Sequence, residues 1–129
     1  MNQTKINEIE VHGVKWIKKD SMKPLPSVSL DGKKYVIVRA KDSGCHAGYL
    51  ESSKSVELTT SAVLFHCRRL WYWSGAASLS QLAMEGVSKP DECKFAMAVD
   101  KITVFGVCEI IETTKRAQDC IEAVKEWKA

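Results

Sequence analysis

The chain has 129 residues, 45% of them hydrophobic and 27% charged, with a formal net charge of +3. One domain of this size can bury a core without disulfide or metal support. The charge is too mild for long duplex nucleic acid as the default partner. No apolar run approaches the roughly 20 residues needed to span a bilayer, and the first 20 residues lack the apolar stretch of a signal peptide. The reading is a cytoplasmic protein.

Residues 1–34 differ from the rest. Ile9, Val11, Val14 and Trp16 alternate loosely, as in an edge strand or arm. Lys23-Pro24-Leu25-Pro26 interrupts any element, and Asp31-Gly32 is a turn signal. This segment reads as an extension, docked on the domain or on a neighbouring subunit. Residues 35–129 read as one ligand-binding domain.

Within that domain, residues 35–40 are a β-branched run expected to form a buried strand. Ser43-Gly44 marks a bend, and residues 45–51 should return, with Gly48 allowing a bulge or close approach. Ser52–Lys54 should turn the chain into a third strand over 56–60, and a fourth follows over 63–73. Ser78 and Gln81 match a capping box for a helix that Gly86 ends. Residues 87–94 read as a loop around Lys89-Pro90, and 102–111 as one central strand. Thr113 or Thr114 then caps a final helix whose Ala117, Cys120, Ile121 and Val124 form a buried stripe, with Trp127 clamping its end. Short strands in succession predict an α+β fold: an antiparallel, strongly curled small sheet, a barrel or half-barrel, with two short helices.

The densest chemistry lies in Arg68-Arg69-Leu70-Trp71-Tyr72-Trp73. A guanidinium fork grips phosphate bidentately, and an indole face stacks on a base. Strand alternation places Arg69, Trp71 and Trp73 on one face and Arg68, Leu70 and Tyr72 on the other. The alternative is a structural one, with the indoles in the core and the arginines solvated or stacked on them. His46, between two glycines, could bond a phosphate or a hydroxyl, or be a surface residue. Lys94-Phe95 repeats the pairing of a cation with a ring, with Phe95 as a core plug the alternative. Lys115 and Arg116 open the last helix, where basic groups oppose the macrodipole unless an anion is bound.

Catalytic and cofactor motifs are absent. No Gly-x-Ser-x-Gly elbow, phosphate-binding P-loop or dinucleotide fingerprint occurs, so no cofactor is expected. The five cysteines are widely spaced without a Cys-x-x-Cys pair, and three scattered histidines give no metal set. The reading is a binder, not an enzyme. Its candidate ligand-binding residues are Arg39, His46, Arg68, Arg69, Trp71, Trp73, Lys94, Phe95 and Arg116.

The runs Tyr35-Val36-Ile37-Val38-Arg39, Gly44-Cys45-His46-Ala47-Gly48-Tyr49-Leu50 and Arg68 through Ala76, followed by Leu79-Ser80-Gln81-Leu82-Ala83 and Cys93-Lys94-Phe95, resemble a family of small phage and prophage proteins. That family is described as a domain of unknown function. The likeness spans about residues 35–127. It extends to the Thoeris anti-defence sponges, phage oligomers that trap cyclic ADP-ribose isomers made by TIR enzymes and, in some members, cyclic oligonucleotides, without cleaving them. The resemblance implies capture of a cyclic nucleotide by a homo-oligomer, a dimer or hexamer, in an infected bacterial cell. A protein-interaction inhibitor with a tryptophan hot spot and a single-stranded nucleic-acid module are the competing expectations.

Overall fold

The computed structural model describes residues 8–11 and 14–17, as strands, and residues 25–129. Strands β1 (Glu8–Val11) and β2 (Val14–Ile17) pair antiparallel in a two-stranded sheet of their own, with Glu8 opposite Ile17 and Val11 opposite Val14. The side-chain role expected for Ile9, Val11, Val14 and Trp16 lies outside the described residues. Further along, Leu25–Val28 runs against the start of the last helix. Lys115 donates to the Leu25 carbonyl, Ser27 N to the Thr113 carbonyl, and Val28 N to Gln118 Oε1 at 2.6 Å.

The main sheet comprises β3 (Tyr35–Ala40), β4 (Gly44–Val56), β5 (Thr59–Tyr72), β6 (Lys94–Phe95), β7 (Val99–Phe105) and β8 (Val107–Glu112). Helices α1 (Leu79–Glu85) and α2 (Lys115–Ala123) complete it, with a 3-10 turn at Pro90–Glu92. Every ladder in this sheet is antiparallel. The order is β6-β5-β4-β3-β8, and β7 also pairs with β5.

The expected strongly curled barrel or half-barrel is not what forms. Among the described residues the hydrogen-bonded path has two ends: β8 pairs with β3 alone, and β6 and β7 share the outer edge of β5. A barrel buries one face of its sheet around an interior, whereas here both faces of β3 are covered. Tyr35 and Ile37 pack with Leu82, Ala83, Ile121 and Val124 under the helices. Val36, Val38 and Ala40 pack with Ala62, Leu64 and Val104 in a second cluster.

Two further expectations change. Ser52–Lys54 continues β4 instead of turning, and the reversal comes at Glu57 and Leu58, with Glu57 at φ 56°. The distal hairpin is exposed, so polar Ser and Lys side chains cost nothing there. The run 102–111 is two strands on different edges, divided at Gly106, whose φ of 70° suits glycine.

The helix ends follow local chemistry. Ser78 Oγ accepts from Gln81 N at 3.1 Å, while Gln81 Oε1 accepts from Ala77 N at 2.7 Å. Thr114 Oγ1 accepts from Ala117 N and donates to the Met84 carbonyl, so one hydroxyl caps α2 and ties it to α1. Gly86, at φ 80°, ends α1. A Cβ there would stand 2.7 Å from Cys120 Cβ, so the same glycine sets the spacing of the two helices.

Candidate functional site

Strand β5 decides which side chains can act. His66 sits at φ 51° and interrupts the ladder, with Ala47 opposite Arg68 but Tyr49 opposite Phe65. Gly48 faces this irregularity, and a Cβ on it would lie 2.9 Å from Cys67 Cα. Beyond it the two arginines diverge. Arg68 is only 5% exposed and shares the helix-covered face with Ala47 and Leu70. Arg69 is exposed on the opposite face, beside His46.

Arg68 spends three of its five N–H groups on the fold. Its Nε donates to the Ala96 carbonyl at 2.8 Å, Nη1 to the Ile121 carbonyl at 2.7 Å and Nη2 to the Phe95 carbonyl at 3.1 Å. Its Cζ stands 5.7 Å from the centre of the Phe95 ring. The guanidinium thus ties β5 to β6 and to the end of α2. Arg68 and Arg69 do not share one site, because consecutive strand residues face opposite ways.

Arg69 instead lines a cleft of about 490 Å³ with Asp42, Ser43, His46, Thr103 and Phe105. These come from the β3–β4 turn, β4, β5 and the end of β7. Arg69 Nε donates to His46 Nε2 at 3.4 Å. The imidazole is 1% exposed, and burial first, then the Arg69 charge, push its pKa below the ordinary value, while the backbone of Val38 opposes both. A ring that accepts at Nε2 and is neutral carries its proton on Nδ1. That Nδ1 is turned to the Val38 backbone, whereas the buried Ser43 Oγ in the same cleft has no partner among the described residues. An unmade hydrogen bond on a buried group is costly, about 1–3 kcal/mol. An unspent hydroxyl beside a guanidinium with N–H groups to spare makes a cradle for an anion.

The other expected residues lie elsewhere. Arg39 pairs with Glu109 at 2.7 Å on the surface. Trp71 is 61% exposed and stacks on Trp127, with centroids 5.1 Å apart and planes at 18°. Lys94 Nζ lies over both rings, 5.1 Å from Trp71 and 5.4 Å from Trp127. Phe95 is fully buried, a core plug and not a stacking face. Trp73 is half-buried against the core, and Arg116 is exposed in the first turn of α2. Of the nine, His46 and Arg69 are brought together in the cleft.

Phe105, 67% exposed, is the aromatic face the sequence reading missed, and Ser43, Asp42 and Thr103 were missed with it. Ser43-Gly44 and Phe105-Gly106 both mark bends, and a ring or hydroxyl next to a bend is the signal that could have found them. Three cysteines are poor nucleophiles: burial pushes the Cys67 thiol up to about 12 and raises Cys45 and Cys93 as well. Among the described residues, no three His, Cys, Asp or Glu side chains gather as a metal would need, and no helix is long and apolar enough to cross a membrane.

No curated protein and no solved structure matches the chain. A family model described as a domain of unknown function (DUF6948) matches residues 33–121, which takes in the β3–β4 turn, all of β5 and the Phe105 bend. With the model covering most of the chain, the protein belongs to the DUF6948 family.

Proposed function

We propose that this domain is a trap for a compact anionic ligand of the cyclic-nucleotide type, held in the Arg69–His46 cleft and released uncleaved. The observation that carries this reading is the Arg69 guanidinium, with one N–H on His46 and the rest unspent, lining one cavity with Ser43, whose Oγ has no partner among the described residues. Its volume falls within the roughly 300–1,000 Å³ of small-molecule clefts. Phe105 offers a ring at the same mouth for a base to stack on. The nucleotide class, and an action in the cytoplasm of an infected cell, are what the resemblance read from the sequence implies. Sequestration needs slow release, which enclosure by donors and a ring supplies.

The test is thermal denaturation against cyclic ADP-ribose isomers and cyclic oligonucleotides. A ligand that binds the native state raises Tm by mass action, about 2.7 kcal/mol of stabilisation at a hundred times Kd. Heat-denatured complex should return the ligand intact. Recovery of a hydrolysed product, or a shift that survives Arg69→Ala, overturns the reading.

A second reading rests on the Trp71–Trp127 stack beneath Lys94, two exposed indoles with a cation across both. Such a cluster is the composition of an interaction hot spot, for a host protein or for copies of this chain in a dimer or hexamer. Sedimentation of Trp71→Ala beside the unaltered protein tests it. An unchanged particle mass removes the oligomer version.

A further inference from the structure

We propose a second ligand site on the helix side of the sheet that takes a small zwitterion of the amino-carboxylate type. It is a cavity of about 400 Å³ lined by Tyr35, His66, Arg68, Glu122 and Glu126, with no residue in common with the Arg69 cleft. Tyr35 is fully buried, and its hydroxyl has no hydrogen-bond partner among the described residues.

The neighbouring ring shows what a satisfied tyrosine looks like here. Tyr49, edge-on to Tyr35 at 5.0 Å, donates to Glu122 Oε2 at 2.9 Å and accepts from Gln118 Nε2 at 3.1 Å. Tyr35 does neither. Burial, and then the Glu122 charge, raise its pKa, so it remains a neutral O–H donor.

The charges are arranged as a dipole. Arg68 carries five N–H groups and spends three on backbone carbonyls, which leaves two on a side chain that lines the same cavity as Tyr35. Arg68 and Tyr35 are buried, so these donors form the floor. Glu122 and Glu126 are exposed and form the rim; Glu122 Oε2 accepts from Tyr49 and Glu126 Oε1 pairs with Lys128 at 3.4 Å, so the second oxygen of each carboxylate is the one left for a ligand. Donors inside call for a carboxylate, and carboxylates outside call for an ammonium. An anion alone meets the rim repulsion, and a cation alone meets the guanidinium. A molecule carrying both charges meets neither.

Isothermal titration of the full chain tests this with β-alanine and 5-aminovalerate as zwitterions, acetate as the anion-only arm and ethylammonium as the cation-only arm. A zwitterion should saturate, with both single-charge arms at least tenfold weaker. Tyr35→Phe keeps the ring and removes one hydrogen bond, so it should weaken the zwitterion about tenfold with Tm unchanged or higher. Should that variant not fold, the Ala98 methyl resonance of the unaltered protein must move on titration, because Ala98 lines the same cavity. Zwitterions no tighter than acetate or ethylammonium, undiminished binding by a folded Tyr35→Phe, or a stationary Ala98 methyl each overturn the proposal.

Discussion

Arg68 and Arg69 are adjacent, carry the same charge and differ in everything else. One lies under two helices with three carbonyls on its guanidinium, and the other lies in a cleft where, among the described residues, the His46 imidazole is its hydrogen-bond partner. The first is architecture, since it satisfies backbone acceptors where α2 and β6 end. The second has donors to spare. A functional cation in this fold is marked by what it leaves unbonded, not by the density of charge around it in sequence.

Breaking the first arginine should do the most damage. Arg68→Ala removes three hydrogen bonds from a charged donor and leaves the Ala96 carbonyl without a partner, while the Phe95 and Ile121 carbonyls keep Trp127 N and Val124 N, so a loss of about 3 kcal/mol is expected in urea denaturation, followed by far-UV circular dichroism. A fall in stability no larger than that of Arg69→Ala would erase the contrast between the two. Arg69→Ala should leave the denaturation midpoint unchanged and weaken anion binding by about tenfold or more, because a charge-assisted contact is lost without disturbing the core. Titration calorimetry with inorganic phosphate, and then with a cyclic nucleotide, reads that loss.

A smaller effect follows from His46. Its pKa is lowered in the fold, so as pH falls the unfolded chain takes up the proton before the native one does. Native stability should therefore be full above about pH 6.5 and decline below it. Anion affinity should rise over the same interval, since an imidazolium beside Arg69 attracts a negative group, with Asp42 the one acidic side chain lining the cleft. His46→Gln should flatten both trends. The smallest effect belongs to Arg39, whose exposed pair with Glu109 resembles surface bridges of little worth, so Arg39→Ala should give no resolvable change in Tm or in ligand affinity.

Much of the local structure was legible because its causes are local. Ser78 with Gln81, and Thr114 with Ala117, cap helices through groups three residues apart. Asp31-Gly32 turns the chain with both residues at positive φ. Alternation along residues 67–71 gave the opposite faces of the two arginines. The reversal at Glu57, the division at Gly106 and the unclosed sheet were not legible, because each depends on which strand lies alongside. For Phe95 the sequence left open a cation's partner and a core plug, and in space it is a sealed plug with the Arg68 guanidinium over its ring.

By itself, the amino-acid order determined which residues could alternate, which could cap, and that Arg68 and Arg69 would point apart. Only the tertiary structure decided which of them would brace the backbone. The Ile121 carbonyl that binds Arg68 lies 53 residues away, and the cleft around Arg69 draws on residues 42–46 and 103–105. Alternation sets a side chain's direction, but the atoms waiting there arrive from distant parts of the chain, and it is their unmet or satisfied hydrogen bonds that separate a brace from a binding group.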